Sequence, residues 1–188
     1  MSFYAVRPPL GIQHIMLGID HLLFVLPMLL LICKPKALVL TVTSFTVAHS
    51  ITLVFAALGI ASAPQPPVEA LVALSIMFVA SEIIRTARGH VDLSSRYPWL
   101  ISFPFGLLHG FGFGGALREI GLSQGDVPLA FNLGIEAGQL VFVAVALAAI
   151  ASFRLLLVLD FSRLRFWFAY LIGTLSAFWF VQRVAGFG

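Results

Sequence analysis

Charge is scarce in this sequence. Only 10% of its 188 residues are Asp, Glu, Lys or Arg, against about 25% in an ordinary soluble domain. A chain so poor in charge is neither a soluble globular domain nor a disordered tail, and it offers no basic surface for nucleic acid. Cysteine is scarcer still. Cys33 stands alone, which excludes an intrachain disulfide and a multi-cysteine metal site. There are no short alternating strands of the kind a β-barrel needs, and no low-complexity segment. The N-terminus lacks a basic n-region and an A-x-A site, so its first apolar run reads as a retained span.

Apolar residues make up 60% of the chain, with a mean hydropathy of +1.04. A helix crossing a bilayer takes about 20 mostly apolar residues, so six would use roughly 120. The punctuation divides the chain that way. Lys34-Pro35-Lys36, then Pro64 with Pro66 and Pro67, then Arg85 to Pro98, then Gly121 to Asp126, and finally Ser152 to Arg165 separate six apolar segments. The expectation is an all-α polytopic membrane protein, a bundle of six transmembrane helices in one domain over 1–188. The spans fall at 11–33, 37–60, 67–86, 98–118, 126–151 and 165–185. In the last connection, Leu155 to Leu159 is apolar between arginines and is expected along the membrane surface. Loops one, three and five hold Lys34, Lys36, Arg85, Arg88, Arg96, Arg154, Arg163 and Arg165, whereas the other side holds Arg7, Arg118 and Arg183. By the positive-inside rule both termini are extracytoplasmic.

Ionisable groups inside a bilayer are costly, and each needs a reason. The first span carries His14, Asp20 and His21, with Gly18 between the histidines. Seven residues bring His14 and His21 to within about 20° on one helical face. Asp20 points elsewhere, toward a neighbouring helix or an imidazole contributed by one, as a carboxylate behind a metal-binding histidine does. The second span carries Thr46, His49 and Ser50, and the fourth carries His109. The fifth carries Asn132, Glu136 and Gln139, spaced to share one face. Only His90 of the five histidines lies in a loop, where His90, Asp92 and the arginines read as a solvated face. Depths counted at about 1.5 Å per residue put these groups in the outer half of the membrane, in one outward-facing polar cavity. Glu69, at an outer span end, suits ion access, and Glu82 lies near the inner end, within reach of water. Gly106, Gly110 and Gly114 repeat every four residues, the small-xxx-small seam of close helix pairs. With Pro104, Gly112 and Gly115 they also suggest an interrupted helix.

The segment His14-x3-Gly18-x-Asp20-His21-Leu-Leu resembles the signature of the HupE/UreJ family, hydrogenase and urease accessory membrane proteins that include nickel or cobalt permeases. The likeness continues through Phe45-Thr-Val-Ala-His49-Ser, Val68-Glu69 with Ser75-Ile76, His109-Gly-Phe-Gly-Phe113 and Phe131-Asn-Leu-Gly-Ile-Glu136-Ala-Gly-Gln139. It is closest to the branch whose members often carry an extra extracytoplasmic N-terminal region. It departs at Ile15, where the permease branch has proline, and in keeping only Ala48-His49 of a second signature. The resemblance implies that His14, Asp20 and His21 bind metal.

Imidazole with some carboxylate suits borderline ions such as Ni²⁺ and Co²⁺. The leading reading is therefore a divalent transition-metal permease or metal-delivery accessory protein, not an enzyme, in the bacterial inner membrane. In it His14, Asp20, His21, His49, His109 and Glu136 hold the ion, and Glu69, Thr46, Ser50, Asn132 and Gln139 line its path. The alternative is a membrane-embedded zinc hydrolase with a periplasm-facing three-histidine site. The partners expected are the bilayer, the metal ion, and either further copies of the chain or accessory proteins.

Overall fold

The computed structural model describes residues 18–32, 34–57, 59–61, 63–90, 93–119, 128–156 and 161–187. Their backbone forms six long helices: α1 (Ile19–Leu31), α2 (Pro35–Ala57), α3 (Gln65–Ala87), α4 (Pro98–Glu119), α5 (Pro128–Leu156) and α6 (Phe161–Ala185). A single-turn helix, Leu93–Arg96, precedes α4. There is no strand among the described residues.

The helix boundaries follow the punctuation in the sequence. Pro35 and Pro98 open α2 and α4, and Pro64 caps α3 in extended conformation ahead of Pro66 and Pro67. Proline is tolerated in a first turn because the N–H it lacks has no helical partner there. Gly59 and Gly89, with φ of +73° and +87°, follow the ends of α2 and α3. That left-handed turn favours glycine and lets the amides of Gly59 and Arg88 fold back onto Ala56 O and Ile84 O.

Four stretches are long and apolar enough to cross a membrane: Pro35–Ala56, Gln65–Ala87, Gly134–Ser152 and Ser162–Ala185. In lipid, helices satisfy every backbone polar group internally, so these segments define a membrane protein. The described part of the first segment, α1, has 13 residues, about 20 Å of helix. His14 and the rest of the expected span 11–18, apart from Gly18, lie outside the described residues. α4 is as long as its neighbours, but Pro104, His109 and its glycines dilute its apolar character.

Three expectations are corrected. α4 is unbroken from Pro98 to Glu119, with Pro104 inside it, so its glycines leave no interruption in the helix, and Gly106 and Gly110 serve packing. α5 continues to Leu156 and α6 begins at Phe161, so Arg154 and Leu155 belong to a helix. The rest of the surface-lying stretch falls on residues 157–160, outside the described residues. Glu82 is buried and does not reach water. It accepts a hydrogen bond from Ser94 of the single-turn helix and pairs with Arg85 at 3.4 Å.

α2 packs most extensively on α4 and α3 on α6, while α1 touches both pairs and α5. One apolar cluster joins Phe24, Met28, Leu30 and Leu31 of α1 to Phe45 of α2, Ile76, Val79, Ala80 and Ile83 of α3, and Ala169 and Ile172 of α6. A second joins Val25 and Leu29 to Leu38, Val42 and Val143, tying α1 and α2 to α5. Lipid tails are as apolar as these side chains, so dispersion and shape fit hold the helices together.

The tightest fit lies between α2 and α4. A Cβ added at Gly106 would stand 2.4 Å from Phe45 O, and one at Gly110 would stand 2.0 Å from Thr52 Oγ1 and 2.5 Å from His49 O. Both meet backbone, which cannot step aside. We expect Gly110→Ala to destabilise the bundle by about 1–3 kcal/mol, the usual range for an overpacked contact. Gly112→Ala, whose new methyl meets only Val68 Cγ1 at 3.6 Å, leaves the unfolding midpoint unchanged. Thermal unfolding in detergent separates the two, and equal midpoints would dismiss the glycine seam.

Candidate metal centre

Three histidines from three helices converge. His21 of α1, His49 of α2 and His109 of α4 are buried, at 8%, 0% and 1% exposure. The His21 ring meets His49 edge-on with centroids 5.5 Å apart, and His109 with centroids 5.0 Å apart. The glycine seam sets this meeting, because it fixes how near α4 comes to the turn of α2 that carries His49.

Aromatic rings pack against the cluster. Phe45 lies nearly parallel to His49 at 6.0 Å and edge-on to His109 at 5.1 Å, and it stacks on Phe24 at 5.0 Å. These rings exclude water and lower the local dielectric, which strengthens any interaction the imidazoles make with charge.

His109 has a hydroxyl partner on α3. Its Nε2 lies 3.2 Å from Ser75 Oγ, while the Ser75 hydroxyl lies 2.6 Å from Val72 O. A hydroxyl has one proton, and with it directed at the nearby carbonyl Ser75 Oγ is placed to accept from His109 Nε2–H. That assignment leaves the lone pair on Nδ1. An imidazole whose N–H is held this way presents a ligand nitrogen in a fixed direction. In the sequence Ser75 stands out only within the family-like segment Ser75-Ile76.

Asp20 and Glu69 have a common partner. Arg183, near the end of α6, places Nη2 3.4 Å from Asp20 Oδ2 and Nε 3.3 Å from Glu69 Oε2, with its guanidinium over the Trp179 ring. The N-terminal turns of α1 and α3 and the C-terminal turn of α6 thus meet at one end of the bundle. Asp20 and Arg183 also complement the dipoles of their own helices. Sequence reasoning read Arg183 only as a topology signal, since separation along the chain hid its neighbours.

Glu136 and Gln139 of α5 face α2 instead. Thr43 Oγ1 donates to Glu136 Oε1 at 3.3 Å, and Thr46 Oγ1 lies 2.7 Å from Gln139 Oε1. Ser50 donates to Thr46 O at 2.7 Å. The candidate set therefore resolves into three groups: the imidazoles, the Arg183 carboxylates and the α2–α5 seam. Gly18 accepts from the amides of His21 and Leu22 and so starts α1. His14 and the side chain of Asn132 lie outside the described residues, as do the surroundings of Gly114. Among the described residues, no group of three or more His, Cys, Asp or Glu side chains is placed to hold a metal ion. His90, Arg88 and Arg96 are exposed, as expected of a solvated face.

An all-helical membrane protein with histidines gathered in its interior is the class that fold and site define. Residues 4–183 match the HupE / UreJ protein family, and over nearly its whole length the chain belongs to that family. No curated protein and no solved structure matches it.

The two ion pairs differ in solvent access: the Asp20 side chain is 32% exposed and that of Glu69 is 50%. Double-mutant cycles pairing Arg183→Gln with Asp20→Asn or with Glu69→Gln should give the larger coupling for Asp20. The Glu69 coupling should stay below about 1 kcal/mol, as for exposed pairs. The reverse order would mean that the triad is not assembled as described.

Proposed function

We propose that this chain is a divalent transition-metal permease, of the nickel or cobalt type, or a metal-delivery accessory protein, in the bacterial inner membrane. Six spans with both termini extracytoplasmic put the Arg183 end outside, because the loops rich in Lys and Arg lie at the other end. The ion is the substrate. It arrives between Asp20 and Glu69, passes to His21, His49 and His109, and draws on His14 from the start of the first span.

The convergence of His21, His49 and His109 carries this reading. Metal–nitrogen bonds of about 2.1 Å, with ring centres roughly 1.1 Å further out, space imidazoles on one ion roughly 4.5–5 Å apart, from octahedral to tetrahedral angles. The observed 5.0 Å between His21 and His109 reaches the upper end of that range, and the 5.5 Å between His21 and His49 lies beyond it. A ligating arrangement requires the rings to turn and to draw closer together than they stand here. The Ser75 hydrogen bond supports the same reading, since it leaves His109 Nδ1 as the ligand atom. Weak and exchangeable binding suits transport. Below the imidazoles the Phe24, Ile76 and Val79 layer closes the cytoplasmic side, so release inward requires that layer to repack.

The family assignment does not favour the alternative, a zinc hydrolase. Titration of detergent-purified protein with Ni²⁺ and Co²⁺ tests the site. His21→Ala, His49→Ala and His109→Ala should each weaken binding by about tenfold or more, the scale of one lost ligand to a charged centre. Glu69→Gln should change it much less. Unchanged affinity in all three histidine variants would end the proposal. Stoichiometric zinc that survives dialysis, with no uptake into vesicles, would replace it with the enzyme.

A further inference from the structure

The seam between α2 and α5 has a donor chemistry different from that of the imidazole cluster. Thr43 and Thr46 are three residues apart on α2, and Glu136 and Gln139 are three apart on α5, so each pair shares a helix face. Their contacts cross the seam at 3.3 and 2.7 Å. Every side chain there presents oxygen. Thr46 is the middle residue of the 23-residue α2, and coupling-ion sites in transporters lie near such midpoints.

The hydrogen bonds do not close as they stand. Thr46 Oγ1 lies 2.7 Å from Gln139 Oε1 and 3.1 Å from Val42 O, yet its hydroxyl has one proton for two acceptors. Gln139 is 1% exposed, and among the described residues its Nε2 has no hydrogen-bond partner. Turning the amide over resolves the first conflict. Nε2–H then donates to Thr46, and Thr46 donates to Val42 O. The Gln139 carbonyl oxygen takes the buried place without a donor, on the face it shares with Glu136. A buried oxygen in that position needs a hydrogen-bond donor or a cation.

We infer that Thr43, Thr46, Glu136 and Gln139 form a second cation site, for a dehydrated alkali-metal cation such as sodium, separate from the imidazoles. Charge and chemistry select that class. No ion pair among the described residues neutralises Glu136. One carboxylate amid neutral oxygens balances a single positive charge, whereas a divalent ion would leave a net charge inside the membrane. Hydroxyl, amide and carboxylate oxygens are hard donors, unsuited to competing with imidazole for a borderline metal. A proton on Glu136 would answer one oxygen through its O–H, whereas the seam gathers oxygens from four side chains. Coupling of this cation to metal movement rests on the permease reading, but the site itself does not.

Equilibrium dialysis with radioactive sodium, on purified protein with choline holding ionic strength constant, tests the site. Saturable binding is expected in the wild type and in His21→Ala, lost in Glu136→Gln and weakened by about tenfold or more in Gln139→Leu, the scale of one ligand to a charge. Thr46→Val is a second probe, expected to weaken binding similarly, should Glu136→Gln fail to fold. Absence of saturable sodium and potassium binding to folded wild-type protein would overturn the inference. So would sodium binding undiminished in Gln139→Leu and Thr46→Val, or metal uptake driven by a proton gradient with no alkali cation bound. Sodium binding without any divalent-metal binding would overturn the permease reading and leave this site standing.

Discussion

The approach of α4 to α2 governs what the interior of this protein can do. At Gly106 and Gly110 the helices lie so near that any side chain would enter the space of Phe45 O, His49 O or Thr52 Oγ1. In a bilayer such an approach is a main source of helix affinity, because lipid removes the hydrophobic drive that holds soluble bundles together. The same contact has a chemical consequence. His109 adjoins Gly110, and His49 contributes the carbonyl that Gly110 faces, so the seam that binds the helices also fixes two of the three imidazoles. His21 then needs only to be carried between them by α1, which Phe24 anchors against Phe45.

Polar groups are sorted by depth and by partner. At one end of the bundle Arg183 collects Asp20 and Glu69, and at the opposite end Arg85 and Ser94 hold Glu82. Between them lie the imidazoles and, below, an apolar layer from four helices. Ion pairs at the rims remain partly wet and contribute modestly. Inside, the low dielectric makes each unmet polar atom expensive, so the interior groups are arranged as hydrogen-bonded units: Ser75 with His109, Thr43 with Glu136, Thr46 with Gln139.

Much of this was legible in the sequence. Apolar runs and prolines place the helix starts within a few residues, since proline and charge mark where a helix leaves the hydrocarbon. Intramembrane His21, His49 and His109 are visible as costly residues without knowing the fold, and their depths bring them together. What escaped depends on pairing between distant segments. Arg183 reads as a loop charge until α6 is packed on α3. Glu82 reads as water-facing until the turn Leu93–Arg96 covers it, and nothing local to Phe45 announces the three imidazoles around it. Pro104 and the glycines of α4 suggested a broken helix because propensity is local. α2, packed close along one side, holds the helix unbroken through them.

Imidazoles that ligate a metal do so as neutral rings. They lend an ion their lone pairs but no charge, so under the permease reading a divalent cation there would leave two positive charges in low dielectric. The nearest carboxylate in sequence, Asp20, is already matched to Arg183. Drawing Asp20 toward the ion weakens that pair and leaves the guanidinium to Glu69 alone, at the end of α6. Under that reading an ion in the imidazole cluster and the Arg183 ion pairs would be tied by charge balance, through residues that do not all touch the ion. That link needs no long pathway, because Asp20 and His21 are consecutive on α1 and Arg183 already touches the first of them.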